Sequence, residues 1–124
     1  MSTRNEGLFR HIINALIWST DGIKAAWKYG LAFRTQVIVI ALMMPVGVWL
    51  GETVVQWALL FGSAMGVLIT ELLNSALETI VDRIGLEQNE LSGRAKDLGS
   101  AASFFSMATA AVIWGLIAYG RFWG

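Results

Sequence analysis

The fold class this sequence predicts is an all-α membrane protein, with one amphipathic surface helix followed by three transmembrane helices. Three observations predict it. The 124 residues are 56% hydrophobic and only 15% charged, with a mean hydropathy of +0.59; typical soluble domains are less apolar. Long apolar stretches occupy about residues 31–50, 54–84 and 97–120. Residues 1–29 instead mix apolar with basic and polar positions. The length suits a single integral membrane domain covering 1–124. The absence of cysteine excludes a disulfide framework and thiolate chemistry. One histidine excludes His-rich metal sites such as HExxH. Net charge is zero, and no repeat, low-complexity segment or secretory signal is expected.

Residues 1–6 are polar, as a frayed end would be. Over residues 8–28, Leu8, Phe9, Ile12, Ile13, Leu16, Ile17, Ile23, Ala26 and Trp27 oppose Arg10, His11, Asn14, Lys24 and Lys28. Such a segment reads as a helix lying in the membrane interface. Ser19, Thr20, Asp21 and Gly22 interrupt the pattern, so a helix, a turn and a second short helix are expected there.

The first span has a wholly apolar core over 37–50, extended back past Arg34, whose long side chain can snorkel. Pro45 and Gly47 are tolerable in a membrane helix. Residues 51–53 form a turn. The second span starts with apolar and small residues, among them Gly62, Ser63, Ala64 and Gly66, which permit close helix approach. Gly85 ends it, and 85–96 reads as a polar loop. The third span carries Gly99, Ala102, Ser106 and Ala110 as a packing face. Tyr119, Phe122 and Trp123 anchor its exit. Basic residues collect before the first span and around the 85–96 loop, while the 51–53 turn has none. The N-terminus and the loop are therefore expected on the cytoplasmic side.

Within the second span, residues 70–83 carry Glu71, Asn74, Glu78 and Asp82. At about 100° per residue these fall within a sector of roughly 80°. Acidic side chains are costly beside lipid, so they should face protein or a wet cavity. Three acids with no basic residue before Arg83 make poor structural glue and a good metal or proton site. Carboxylates can hold Mg²⁺, and Arg10, Arg83, Arg94 and Lys96 on the same side can clamp phosphate oxygens. A partly desolvated carboxylate can take a proton from a hydroxyl. Together these are the parts of phosphoryl transfer, without a Walker A or kinase Gly-rich loop. Three helices enclose little space alone, so a homo-oligomer with shared sites is expected.

Glu71-Leu72-Leu73-Asn74-Ser75-Ala76-Leu77-Glu78, then Val81-Asp82-Arg83-Ile84, then Glu90-Leu91-Ser92-Gly93-Arg94-Ala95-Lys96-Asp97-Leu98-Gly99-Ser100-Ala101-Ala102 closely resemble the prokaryotic diacylglycerol kinase family. The resemblance extends to Arg10, Ala25-Ala26-Trp27 and Ala32-Phe33-Arg34, so it covers nearly the whole chain. It implies a homotrimer in the bacterial inner membrane, with active sites between subunits. It implies transfer of the ATP γ-phosphoryl group to the primary hydroxyl of diacylglycerol, with Mg²⁺. By matching position, Glu71 is the implied base and Glu78 the implied metal ligand. Arg10, Glu78, Glu87, Lys96 and Asp97 match nucleotide-binding positions. Arg10, Ala32, Phe33, Arg34, Glu71 and Ser100 match the lipid site, with Asn74 and Asp82 in support. No nucleic-acid partner is implied. The chain departs from the family at Gly30, where a second metal-site glutamate is usual, and at Gln36, where another acid falls. Competing readings are an undecaprenol kinase on the same scaffold and a membrane protein that binds nucleotide or lipid without turnover.

Overall fold

The computed structural model describes residues 4–124, with side chains from Gly7 onward. It contains four helices: α1 Arg4–Tyr29, α2 Leu31–Leu50, α3 Val54–Ile84 and α4 Glu90–Trp123. The last three are long and apolar enough to cross a membrane. At 1.5 Å per residue, α3 and α4 reach roughly 45–50 Å, well beyond a bilayer core of about 30 Å. Both therefore have polar ends outside the hydrocarbon.

The first two spans begin and end where apolar length and turn residues place them. At the 51–53 turn, the Thr53 hydroxyl accepts from Gln56 N at 3.2 Å, while Gln56 Oε1 accepts from Glu52 N at 2.7 Å. This exchange satisfies amide donors that the start of α3 would otherwise leave open. Pro45 lies inside α2 without ending it.

Two expectations are corrected. The predicted turn at residues 19–22 does not form; α1 runs through it as one helix. The Ser19 and Thr20 hydroxyls donate back to Ala15 O and Leu16 O at 2.7 and 2.9 Å, which keeps these polar residues compatible with helix. The predicted 85–96 loop is also too long. Asn89 caps α4, its Oδ1 accepting from Leu91 N at 2.9 Å and Ser92 N at 3.2 Å, so α4 starts at Glu90. Only 85–89 connects the helices. Of the frayed segment expected at 1–6, residues 1–3 lie outside the described residues and 4–6 belong to α1.

The core is a seam between α3 and α4. On α3 it buries Leu60, Ala64, Val67, Glu71 and Val81, with Leu60 fully enclosed. This three-and-four spacing is one helix face. On α4 it buries Gly99 and Ser103. The expected packing face of α4 is thus rotated slightly, since Ala102 is exposed. On α3, Ala64 packs inward, whereas a side chain added at Gly62 or Gly66 would meet open space. Trp114 Nε1 donates to Leu60 O at 3.1 Å and pins the seam toward the 51–53 turn. At the far end of α4 Arg121 lies 3.3 Å from Glu52 and 5.1 Å over the Trp49 ring, tying α4 to the 51–53 turn.

A single residue, Gly30, separates α1 from α2. Gly30 N donates to Ala26 O at 2.8 Å, and Arg34 N to Gly30 O at 3.0 Å. A Cβ built at Gly30 would lie 2.7 Å from the Ala26 carbonyl oxygen. Among the described residues α1 packs on α2 and α3 and does not touch α4.

Candidate active site

The acidic face of α3 divides into three levels along the helix. Glu71 is the innermost and is 3% exposed, the only charged side chain buried among the described residues. Asn74 lies one turn further, where its Nδ2 donates to Glu78 Oε1 at 3.3 Å. Its Oδ1 is buried without a hydrogen-bond partner and sits against Gly99 of α4. Only glycine allows this approach, because a Cβ there would occupy the position of the amide oxygen. Asp82 is outermost, and its Oδ1 lies 2.8 Å from Lys96 Nζ of α4. The common sector predicted for these residues is present, yet its exposure is not uniform: Glu78 and Asp82 are exposed. The seam covers the face through Glu71 and leaves its flank open.

Two concavities lie along α3, one on each side of Glu71 in sequence, and Glu71 lines neither. Beyond Asp82 is a polar cleft of about 570 Å³, lined by Asp82, Glu87, Gln88, Asn89 and Lys96 among others. Toward the middle of the spans is an apolar groove of about 260 Å³ between α2, α3 and α4. Its walls include Gln36, Val67, Met107 and Trp114. Gln36 Nε2 lies 3.0 Å from Met107 Sδ, at hydrogen-bond distance. Glu71 follows Val67 by one helical turn, so it stands just past the groove on the way to the cleft.

The remaining sequence-predicted residues fall unevenly around this axis. Glu87 and Lys96 line the cleft. Asp97 and Ser100 are exposed on α4 beside it. Ala32 is exposed, Arg34 is half-buried, and Phe33 is 4% exposed and anchors α2. Arg10 is exposed on α1. Among the described residues α1 makes no close backbone approach to α4, so the helices that carry Arg10 and Lys96 stay apart. Ser103 was not singled out by the sequence. It is 6% exposed and its hydroxyl has no hydrogen-bond partner among the described residues. In sequence it is one more small residue in an alanine-rich span, and only the helix register distinguishes it.

Comparison with known proteins decides among the readings. The family model described as prokaryotic diacylglycerol kinase matches residues 17–118. The chain belongs to the prokaryotic diacylglycerol kinase family. The match covers the first two spans, most of the third and both concavities. The diacylglycerol kinase of Haemophilus influenzae is 44% identical over 109 residues, 88% of this chain and 92% of that one. That of Escherichia coli strain K12 is 42% identical over 114 residues, covering 92% and 93%. That of Pseudomonas aeruginosa is 40% identical over 111 residues, 90% of each chain. In this prokaryotic diacylglycerol kinase the buried carboxylate of Glu71 falls along α3 between the residues of an apolar groove and those of a polar cleft.

Proposed function

We propose that Glu71 is the base with which this ATP-dependent diacylglycerol kinase activates its lipid, and that the 85–89 cleft holds the nucleotide. The observation that carries this reading is the position of Glu71. It is buried, it follows the groove-lining Val67 by one helical turn, and it lies about 16 Å along α3 from Asp82 at the cleft. The acyl chains lie on the apolar side, and the glycerol hydroxyl comes to the carboxylate. Glu71 takes the hydroxyl proton; the lipid oxygen forms a bond to the γ-phosphorus of ATP. The bond from that phosphorus to the β–γ bridging oxygen breaks, and ADP leaves with the electron pair. Lys96 offsets the phosphate charge from the cleft wall, and Glu87 with the 85–89 connection lies beside the adenosine. Asp97 and Arg10 complete the nucleotide contacts. Ala32, Arg34 and Ser100 line the lipid approach, with Phe33 fixing the backbone beneath them.

The residues present fit a magnesium ion carried by the nucleotide. Among the described residues no three acidic or histidine side chains converge into an all-protein site. Phosphoryl-transfer sites commonly give Mg²⁺ only one or two carboxylates, with phosphate oxygens and water supplying the rest. Glu78, exposed and oriented by Asn74, is the carboxylate offered here. When bound, the ion neutralises phosphate charge in the transition state. Gly30 supplies no second ligand.

The site is shared within a homotrimer. Its support is the separation of α1 from α4 together with spans whose surfaces are mostly open. α1 lies on the membrane surface, exposing Leu8, Phe9, Ile12, Leu16 and Ile17 in one subunit. The N-terminus and 85–89 are on the cytoplasmic side of the inner membrane, where the basic residues collect.

The test is phosphoryl transfer from Mg-ATP to diacylglycerol, with undecaprenol in parallel, using purified protein in lipid. The native chain turns over diacylglycerol; Glu71→Gln loses turnover and keeps nucleotide binding. A Glu71→Gln variant that still turns over removes the base from this residue, and preference for undecaprenol moves the acceptor.

A further inference from the structure

Gln36 brings an amide to the wall of a groove that is otherwise apolar. Trp114 has an N–H there too, but it is committed to Leu60 O at 3.1 Å. Every other residue of the wall is aliphatic or a methionine. Gln36 is half-buried, and its Nε2 lies 3.0 Å from Met107 Sδ. Among the described residues that thioether is the only side-chain partner of the amide. Sulfur of this kind is a weak acceptor, whereas a carbonyl oxygen is a strong one. A carbonyl that entered the groove would therefore displace Met107 from the amide.

The amide stands at a particular end of the groove. Short connections join α2 to α3 and α3 to α4, and both pairs pack together, so neighbouring spans run antiparallel. On α2, Gln36 is the groove residue farthest from the 51–53 turn. Val67 holds the same place on α3, and Met107 holds it on α4. Glu71 follows Val67 by one turn, about 6 Å along the helix. Gln36 is thus at the Glu71 end of the groove. The two acceptor lipids differ at this level. In diacylglycerol, ester carbonyls sit a few bonds from the free hydroxyl. In undecaprenol, only hydrocarbon follows the hydroxyl. With the hydroxyl at Glu71 and the chains in the groove, diacylglycerol brings an ester oxygen toward Gln36, and a polyprenol brings nothing an N–H can meet.

We infer that Gln36 is a specificity residue for the acceptor lipid, its Nε2 exchanging Met107 Sδ for an ester carbonyl. This rests on the reading of Glu71 as the base and of the groove as the side that takes the acyl chains. A lipid with an ester gains a strong acceptor for the amide, and a lipid without one leaves the amide on its thioether. Recognition of this kind discriminates because a donor in a poorly hydrated wall is used by one acceptor and wasted on the other. The amide plays no part in proton transfer. It selects the alcohol that Glu71 meets.

The experiment uses two acceptors, a 1,2-diacylglycerol and the 1,2-dialkylglycerol of the same chain length. The second keeps the hydroxyl and both chains and lacks only the carbonyls. Native protein, Gln36→Met, Gln36→Leu and Glu71→Gln are purified as the full chain in lipid. For each, kcat/KM on both acceptors and KM for ATP are measured. The native chain should prefer the diacylglycerol by about five- to tenfold. In Gln36→Met and Gln36→Leu that ratio should fall to within about twofold of unity, with KM for ATP within about twofold of native. A glutamine that serves packing alone behaves otherwise, since its loss slows both acceptors alike and leaves the ratio where it was. A variant ratio unchanged from native overturns the proposal, and so does a native chain without ester preference, a result that needs no variant to fold. In either case an inactive Glu71→Gln leaves Glu71 as the base. An active Glu71→Gln removes both readings together.

Discussion

Lys96 Nζ lies 2.8 Å from Asp82 Oδ1, across the connection from α4 to α3 at the rim of the polar cleft. Both side chains are about half exposed, at 44% and 49%. Such a pair adds less than about 1 kcal/mol to stability. Its value is in where it puts the ammonium group, on the wall beside the proposed phosphates. Lys96→Met should therefore raise KM for ATP about tenfold or more while the unfolding midpoint stays nearly constant. Asp82→Asn should have a smaller effect of the same kind, because Lys96 loses its tether and keeps its charge. Steady-state kinetics over an ATP series, with a melting curve for each variant, measures both.

Asn89 closes the first turn of α4 through two amide bonds, to Leu91 and Ser92. Asn89→Ala should cost about 1 kcal/mol, as lost helix caps usually do. Local exchange is the more telling readout. The amides of Leu91 and Ser92 should exchange faster in the variant, while those of the α3–α4 seam keep their protection.

Gly99 gives the Asn74 amide its place. Gly99→Ala puts a methyl where Asn74 Oδ1 sits, so the amide must swing and release Glu78 Oε1. Helix propensity favours the change by about 1 kcal/mol, so the protein should remain folded. Turnover should fall about tenfold, and more magnesium should be needed to reach half of the maximal rate. Titrating Mg²⁺ at saturating ATP shows it.

Gly30 alone joins α1 to α2. Gly30→Ala places a methyl 2.7 Å from the Ala26 carbonyl oxygen, which is backbone and cannot step aside cheaply. The expected loss is about 1–3 kcal/mol, in the range of overpacked sites, read from thermal unfolding in lipid. Gly30→Glu meets the same obstacle, so restoring the acid usual in the family should lower stability whether or not it aids metal binding.

The sequence made the spans visible because hydrophobic length is a strong signal, and Gly51, Thr53 and Gly85 punctuate it. It was weaker where polar residues are still helical. Ser19 and Thr20 look like turn formers, but their hydroxyls fold back on the helix. Residues 90–96 look like loop because they project past the membrane, where a helix has no need to be apolar. The acidic set on α3 was legible from its spacing. Which of its members is enclosed was not, since that depends on the path of α4 across it. The burial of Ser103 was invisible for the same reason: it depends on a register between two helices, which is absent from either one alone.

The single-residue link at Gly30 has a mechanical consequence. Two long helices joined without slack behave as a bent lever, so α1 cannot change its height independently of α2. A bilayer whose thickness tilts α2 would carry α1 and Arg10 with it. The lipid matrix is then more than a store of substrate: by its thickness it sets where one arm of the enzyme rests.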